Sequence, residues 1–157
     1  MALSDDIFRF ANNNLGNKVG TRGECWDLAH QALVAAHADT SRDAQYIWGT
    51  TTSLVALTPG DIIQFDSYSA TLRVTNDDGF QERSWNAPHH TAIVSSLLNS
   101  SQGLVEVLEQ NMGGVRRVTR GRYYIKSGVT EFQGEALGIR GTVKITVNGT
   151  IRLYHAH

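Results

Sequence analysis

Apolar residues recur at helical spacing only in the first third of the chain. Ile7, Ala11 and Leu15 stand at i, i+4 and i+8 behind Ser4, Asp5 and Asp6. A serine N-cap with acids in the first turn predicts a short helix there, closed by Asn12-Asn13-Asn14 and Gly16. Leu28, Ala32 and Ala35/Ala36 repeat the period, with Trp26, Ala29 and Leu33 alongside. They predict a second helix opening at Cys25 and closing in the turn formers Asp39 to Arg42. Gly20 and Gly23 mark the loop between the two.

From Thr58 onward the period changes to two. Thr58-Pro59-Gly60-Asp61 is a turn signature, Ile62-Ile63-Gln64-Phe65 the strand leaving it, and Leu72-Arg73-Val74 its return. Asn76-Asp77-Asp78-Gly79 is another turn. After Pro88, the run His89 to Val94 reads as a strand with His90, Ala92 and Val94 on one face. Asn99 to Gly103 turns the chain back, and Leu104 to Asn111 places Val105, Val107, Glu109 and Asn111 together. Further strands are expected at Val115 to Val118, Arg122 to Ile125, Gly141 to Val147 and Thr150 to Tyr154. A two-residue Asn148-Gly149 turn would mix the faces of the last pair. A three-residue loop, Asn148 to Thr150, sets Val147 opposite Ile151 and Ile145 opposite Leu153, and is preferred. Two helices followed by antiparallel strands make an α+β arrangement, and 157 residues fit one domain with a core of its own.

Charge and cysteine content narrow the setting. Acids and bases nearly balance at a net charge of −1 and do not cluster, which argues against nucleic acid or an anionic membrane as principal partner. No apolar run approaches the ~18 residues of a membrane span. The start, Met1 to Asp6, lacks the basic flank and apolar stretch of a signal peptide. A single cysteine makes no internal disulfide. The expectation is a monomeric chain in a reducing compartment, cytoplasmic as synthesised, with export by a non-classical route left open.

That one cysteine is also the strongest chemical signal. At the first turn of a helix, free backbone N–H groups and the positive end of the macrodipole favour thiolate over thiol. A cysteine nucleophile needs a base and the base needs an orienting partner. If the strands bearing His90 and Glu109/Asn111 pair antiparallel, the start of one lies beside the end of the other. His90 then meets Glu109 or Asn111, and Cys25 closes the set from the helix. Alternation prefers His90 to His89, because only His90 shares the face of Ala92 and Val94. Glu24, Trp26 and His89, together with Trp85, are candidates for the walls of a substrate cleft. His30 and His37 lack a cysteine or acid at ligand spacing, so no metal is expected. His155 and His157 are expected to fray in solvent.

Four blocks carry a family resemblance: Gly23-Glu24-Cys25-Trp26-Asp27-Leu28-Ala29, Pro59 to Phe65, His89 to Val94, and Leu108-Glu109-Gln110-Asn111. In this order they resemble the CHAP group of papain-like cysteine hydrolases. With Tyr46-Ile47-Trp48-Gly49 and Pro88-His89-His90 added, the chain looks still more like the cysteine-proteinase-like domain at the C-terminus of fungal actin-patch SH3 proteins. The resemblance implies helices, with the cysteine on the second, packed on an antiparallel sheet or half-barrel. It implies a Cys-His-Glu/Asn site without cofactor, favours Glu109 as third member, and suggests peptide or peptidoglycan-type amides as substrate. His89 stands where CHAP sequences often have glycine, and Glu24 where glutamine is common. The alternatives are a silent module that docks a protein or peptide in the cleft, and a secreted amidase toxin.

Overall fold

The computed structural model describes residues 2–157. Two helices, α1 (Leu3–Asn13) and α2 (Cys25–Ala35), precede seven strands: β1 (Thr50–Thr51), β2 (Ile62–Asn76), β3 (Gly79–Asn99), β4 (Leu104–Glu109), β5 (Thr119–Tyr124), β6 (Gly128–Ala136) and β7 (Ile139–His155). All pair antiparallel in one open sheet of order β1-β7-β2-β3-β4-β5, with β6 on the outer side of β7. Among the described residues no helix is long and apolar enough to cross a membrane.

Strand alternation feeds two cores. Ile62, Ile93, Leu108 and Tyr154 face the helices and pack with Ile7, Ala11, Leu28, Ala32 and Leu33. Ile63, Phe65, Ala92, Val94, Val105 and Val107 face the other way, into a core completed by Tyr68, Tyr123, Val143 and Ile145. Trp48 is fully buried on the helix side and donates its Nε1–H to Gln64.

The second helix begins at Cys25 as the sequence predicts; the first differs in detail. Ala2, not Ser4, holds the N-cap position of α1, and Ser4 is buried where the Thr58–Asp61 turn crosses the helix. A Cβ on Gly60 would strike the Ser4 carbonyl, which is why this turn needs glycine. Leu15 lies beyond α1 and forms a parallel bridge with Val118.

Two strand expectations are corrected together. Ile62–Phe65 and Leu72–Val74 are not a hairpin but parts of the single strand β2, and the chain does not turn back at Asn148 to Thr150, because β7 runs through. One feature explains both. β2 carries one extra residue between Asp66 and Ser69, against β7 at Thr150 and Asn148, with Ser67 at φ 53°. This bulge reverses the parity of β2, so Phe65 and Tyr68 share a face, and both strands bend there without ending. Gly149, at φ 95°, sits against the Ser67 carbonyl, where a side chain has no room. In β7 the alternation Val143, Ile145, Val147, Ile151, Leu153 continues unbroken past it.

The segment Val115 to Val118 makes only isolated bridges, and β5 starts at Thr119, absorbing most of the expected Arg122–Ile125 strand. β6 carried too weak an apolar pattern to be read: it is an edge strand with Val129 60% exposed. His155 and His157 do not fray. His155 Nδ1 lies 2.7 Å from buried Asp61 Oδ1, and His157 contacts Thr50 and Asp39.

Candidate active site

The elements converge where β3 and β4 part. Their pairing ends at Ile93 and Leu108, and β3 continues past that point without β4 beside it. Cys25, the first residue of α2, occupies the gap. The backbone N–H of Thr91 donates to its sulfur, as does that of Trp26, and the His90 side chain hydrogen-bonds it. Alternation sends His90 to the side of Ala92 and Val94, where it is 3% exposed. Its Nε2 lies 2.9 Å from Glu109 Oε1. A carboxylate only accepts, so Nε2 carries the proton and Nδ1 is left for the thiol.

Electrostatics follow from this enclosure. Burial pushes the Cys25 thiol up, and it is the largest single influence. The hydrogen bond and charge of His90, with the Thr91 and Trp26 amides, together outweigh it and leave the thiol below its ordinary value. For His90, burial acts downward. Hydrogen bonds that the ring donates to Cys25 and Glu109, and the charge on both, outweigh it and raise the imidazole to about 9. Both shifts favour the thiolate–imidazolium form of the pair.

Glu109 is itself held. Tyr123 Oη donates to the same Oε1 at 2.5 Å, and burial beside that carboxylate pushes the phenol well above its usual range, so it stays a donor. Gly121, opposite Val107 on β5, gives the carboxylate its space, since a Cβ there would overlap Glu109 Oε2. Neither residue was singled out from sequence. A glycine inside a strand was the one available signal.

Asn111 is not beside His90. It sits past the end of β4 at φ 61° and donates from Nδ2 to Glu24 Oε2 at 2.8 Å. Glu24 is also bound by Arg116 Nη1 at 2.9 Å. Of the two candidate orienters, only Glu109 contacts the imidazole. His89 takes the opposite face of β3, edge-on to Tyr46 at 4.4 Å and 3.4 Å from Asp66. Trp26 stacks on His30 at 4.4 Å and donates its Nε1–H to the Asp43 carbonyl, while His30 Nδ1 lies 2.7 Å from the Asp43 carboxylate.

Cys25 and His90 open into a cleft of about 440 Å³ walled by Glu24, Trp26, Tyr46, His89 and Asn111, with Arg22 at its edge. Tyr46 and His89 separate it from a second hollow of about 440 Å³ floored by Gln64, Asp66 and Arg152. Trp85 lies elsewhere. It packs edge-on against Tyr124 and under Arg83, outside both hollows, because it stands farther back along β3, beyond the stretch that faces the β2 bulge. Among the described residues no group of three or more His, Cys, Asp or Glu side chains is placed to hold a metal ion.

A cysteine at a helix start facing a histidine on a curled antiparallel sheet is the layout of papain-like folds, and a family model agrees. The AIM3/BBC1 cysteine proteinase-fold domain matches residues 2–128. The chain belongs to that family. The match takes in the thiol, the imidazole, Glu109 and Tyr123, and stops short of most of β6 and all of β7. No curated protein and no solved structure gives a match. Membership of the family fixes a cysteine proteinase fold; what the cleft does is a separate question.

Proposed function

We propose that the domain is a cysteine amidase or peptidase that cleaves an amide through a thioester. The observation that carries this reading is the connected series Cys25–His90–Glu109–Tyr123, in which the thiol is lowered and the imidazole raised despite burial. The Cys25 thiolate attacks the amide carbonyl carbon. Its N–H at the first position of α2 has no intrahelical acceptor and is free to stabilise the oxyanion. As the C–N bond breaks, the His90 imidazolium gives its proton to the leaving amine. Water, deprotonated by the neutral His90, then hydrolyses the thioester, releasing the acid and restoring the thiol. Glu109 keeps Nε2–H pointed away from sulfur throughout, and Tyr123 keeps Glu109 in place.

The two adjoining hollows suit a peptide or protein better than a small amide, since a chain lying at the thiol in the first can continue past Tyr46 and His89 into the second. The rival reading, a silent module that docks a peptide in the same cleft, draws on the enclosure of the thiol, whose burial is the largest influence on it. Alkylation of Cys25 by iodoacetamide against pH separates the two. The enzyme reading expects fast alkylation well below the ordinary thiol value of ~8.5, lost in His90→Ala. A slow, ordinary thiol in both proteins would refute it and leave the docking module.

A further inference from the structure

The loop that delivers Cys25 is tied to the sheet at two ends of unequal character. At its start, backbone pairs with Val118 hold Gly16 and Asn17, each at 2.9 Å. At its end side chains do the work, and the buried one among them is Gln110. Gln110 is fully buried and points away from the face of Glu109. Its Oε1 accepts the Val19 N–H at 2.8 Å, and its Nε2 donates to the Val19 and Glu24 carbonyls, both at 2.9 Å. With Val19 it reproduces the donor-and-acceptor pattern of a neighbouring strand. With Glu24 it holds the last carbonyl before the nucleophile, the one that also accepts the Leu28 N–H at 3.4 Å in the first turn of α2.

The preceding residue, Glu109, holds the imidazole. Glu109, the last residue of β4, and Gln110 just after it thus reach the two halves of the pair, one on each side of the chain. The other ties from the sheet side, Arg116 to the Arg22 carbonyl and the Glu24 carboxylate and Asn111 to that same carboxylate, do not touch the backbone next to Cys25; the Glu24 N–H is held from within α2, by the Asp27 carboxylate. We propose that Gln110 is a positioning residue: its amide fixes the backbone before Cys25 relative to Glu109, and so sets the approach of thiol to imidazole. The inference rests on reading Cys25 and His90 as an activated pair.

Gln110→Met keeps length and bulk but removes all three hydrogen bonds. Gln110→Glu keeps the acceptor for Val19 N–H and sets an oxygen against two carbonyls. Iodoacetamide alkylation of Cys25 against pH, with a thermal melt of each protein, tests the role without any substrate. Both variants should move the alkylation midpoint up by about one pH unit, equivalent to about tenfold slower alkylation below it. Ile145→Val, a core change on the far face of the sheet, should lower the melting temperature without moving the midpoint. Variants that melt early but keep the wild-type midpoint would overturn the proposal, leaving Gln110 a structural residue. Failure of both to fold would overturn it too, because the amide would then hold the fold and not the pair. An ordinary thiol in the wild type, by contrast, would refute the activated pair itself.

Discussion

His90 Nε2 and Glu109 Oε1 lie 2.9 Å apart on β3 and β4, with Glu109 one residue beyond the last position at which β4 pairs with β3. Because the strands have parted there, the contact is made by side chains across a gap that also holds the thiol. Replacing the acid by its amide tests what that contact contributes. Glu109→Gln removes a charge that raises the imidazole and offers an N–H where Nε2–H needs an acceptor. The imidazole should titrate lower, the thiol higher, and Cys25 alkylation at neutral pH should slow by about tenfold or more. An unchanged rate would remove Glu109 from the pair.

Gly121→Ala probes the same carboxylate without deleting any ionisable group. The added methyl would overlap Glu109 Oε2, which has Tyr123 and His90 on its other side and nowhere to retreat. The displaced acid should release His90, so alkylation should slow in parallel with Glu109→Gln while the N-terminal helices keep their far-ultraviolet signature. A wild-type alkylation profile in Gly121→Ala would show that the carboxylate has slack.

The meeting of Cys25, His90 and Glu109 was legible because each of the three obeys a local rule. Cys25 opens a periodic run, and His90 shares its parity with Ala92 and Val94. Glu109 follows Val105 and Val107. Asn111 obeys the same parity on paper, but left-handed backbone at the strand end takes it to Glu24, and nothing in the alternation announces that. Tyr123 and Gly121 come from a strand that meets β4 only in three dimensions, so their part could not be read from spacing. In the sheet, Asn-Gly and a broken apolar period looked like turns. A bulge shared by two long strands produces the same local signs, and only the unbroken parity from Val143 to Leu153 hinted at it.

That bulge yields a prediction about the fold. Gly149 has φ 95° and lies against the Ser67 carbonyl. Gly149→Ala adds both a strained backbone and a clash with backbone, and should cost about 2–4 kcal/mol in urea unfolding. If residues 148–150 formed a hairpin tip in solvent, an alanine there would meet no carbonyl and only the left-handed backbone would cost, about 1 kcal/mol. The size of the effect therefore distinguishes the continuous strand from the hairpin.

The last prediction concerns the proton shared by the pair. His90 is raised to about 9 from 6.5, and its stabilising effect is full below about 6.5 and lost as pH rises through about 9. Cys25 is lowered, so its effect is full above the free thiol value and lost as pH falls through the folded value. Across the interval between, the folded chain keeps one proton on His90 and the unfolded chain keeps one on Cys25. The two slopes oppose each other, and the melting temperature should change little there on account of this pair. Spectroscopy sees what stability hides. In the wild type, the His90 ring resonances should titrate near 9. In Cys25→Ala, the hydrogen bond and charge from sulfur vanish while burial and Glu109 remain, so the midpoint should fall below that. Activity, where it is found, should have its alkaline limb at the wild-type midpoint. A His90 midpoint near 6.5 in the wild type, unmoved by Cys25→Ala, would mean that sulfur and imidazole do not share a proton, and the hydrolytic reading would go with it.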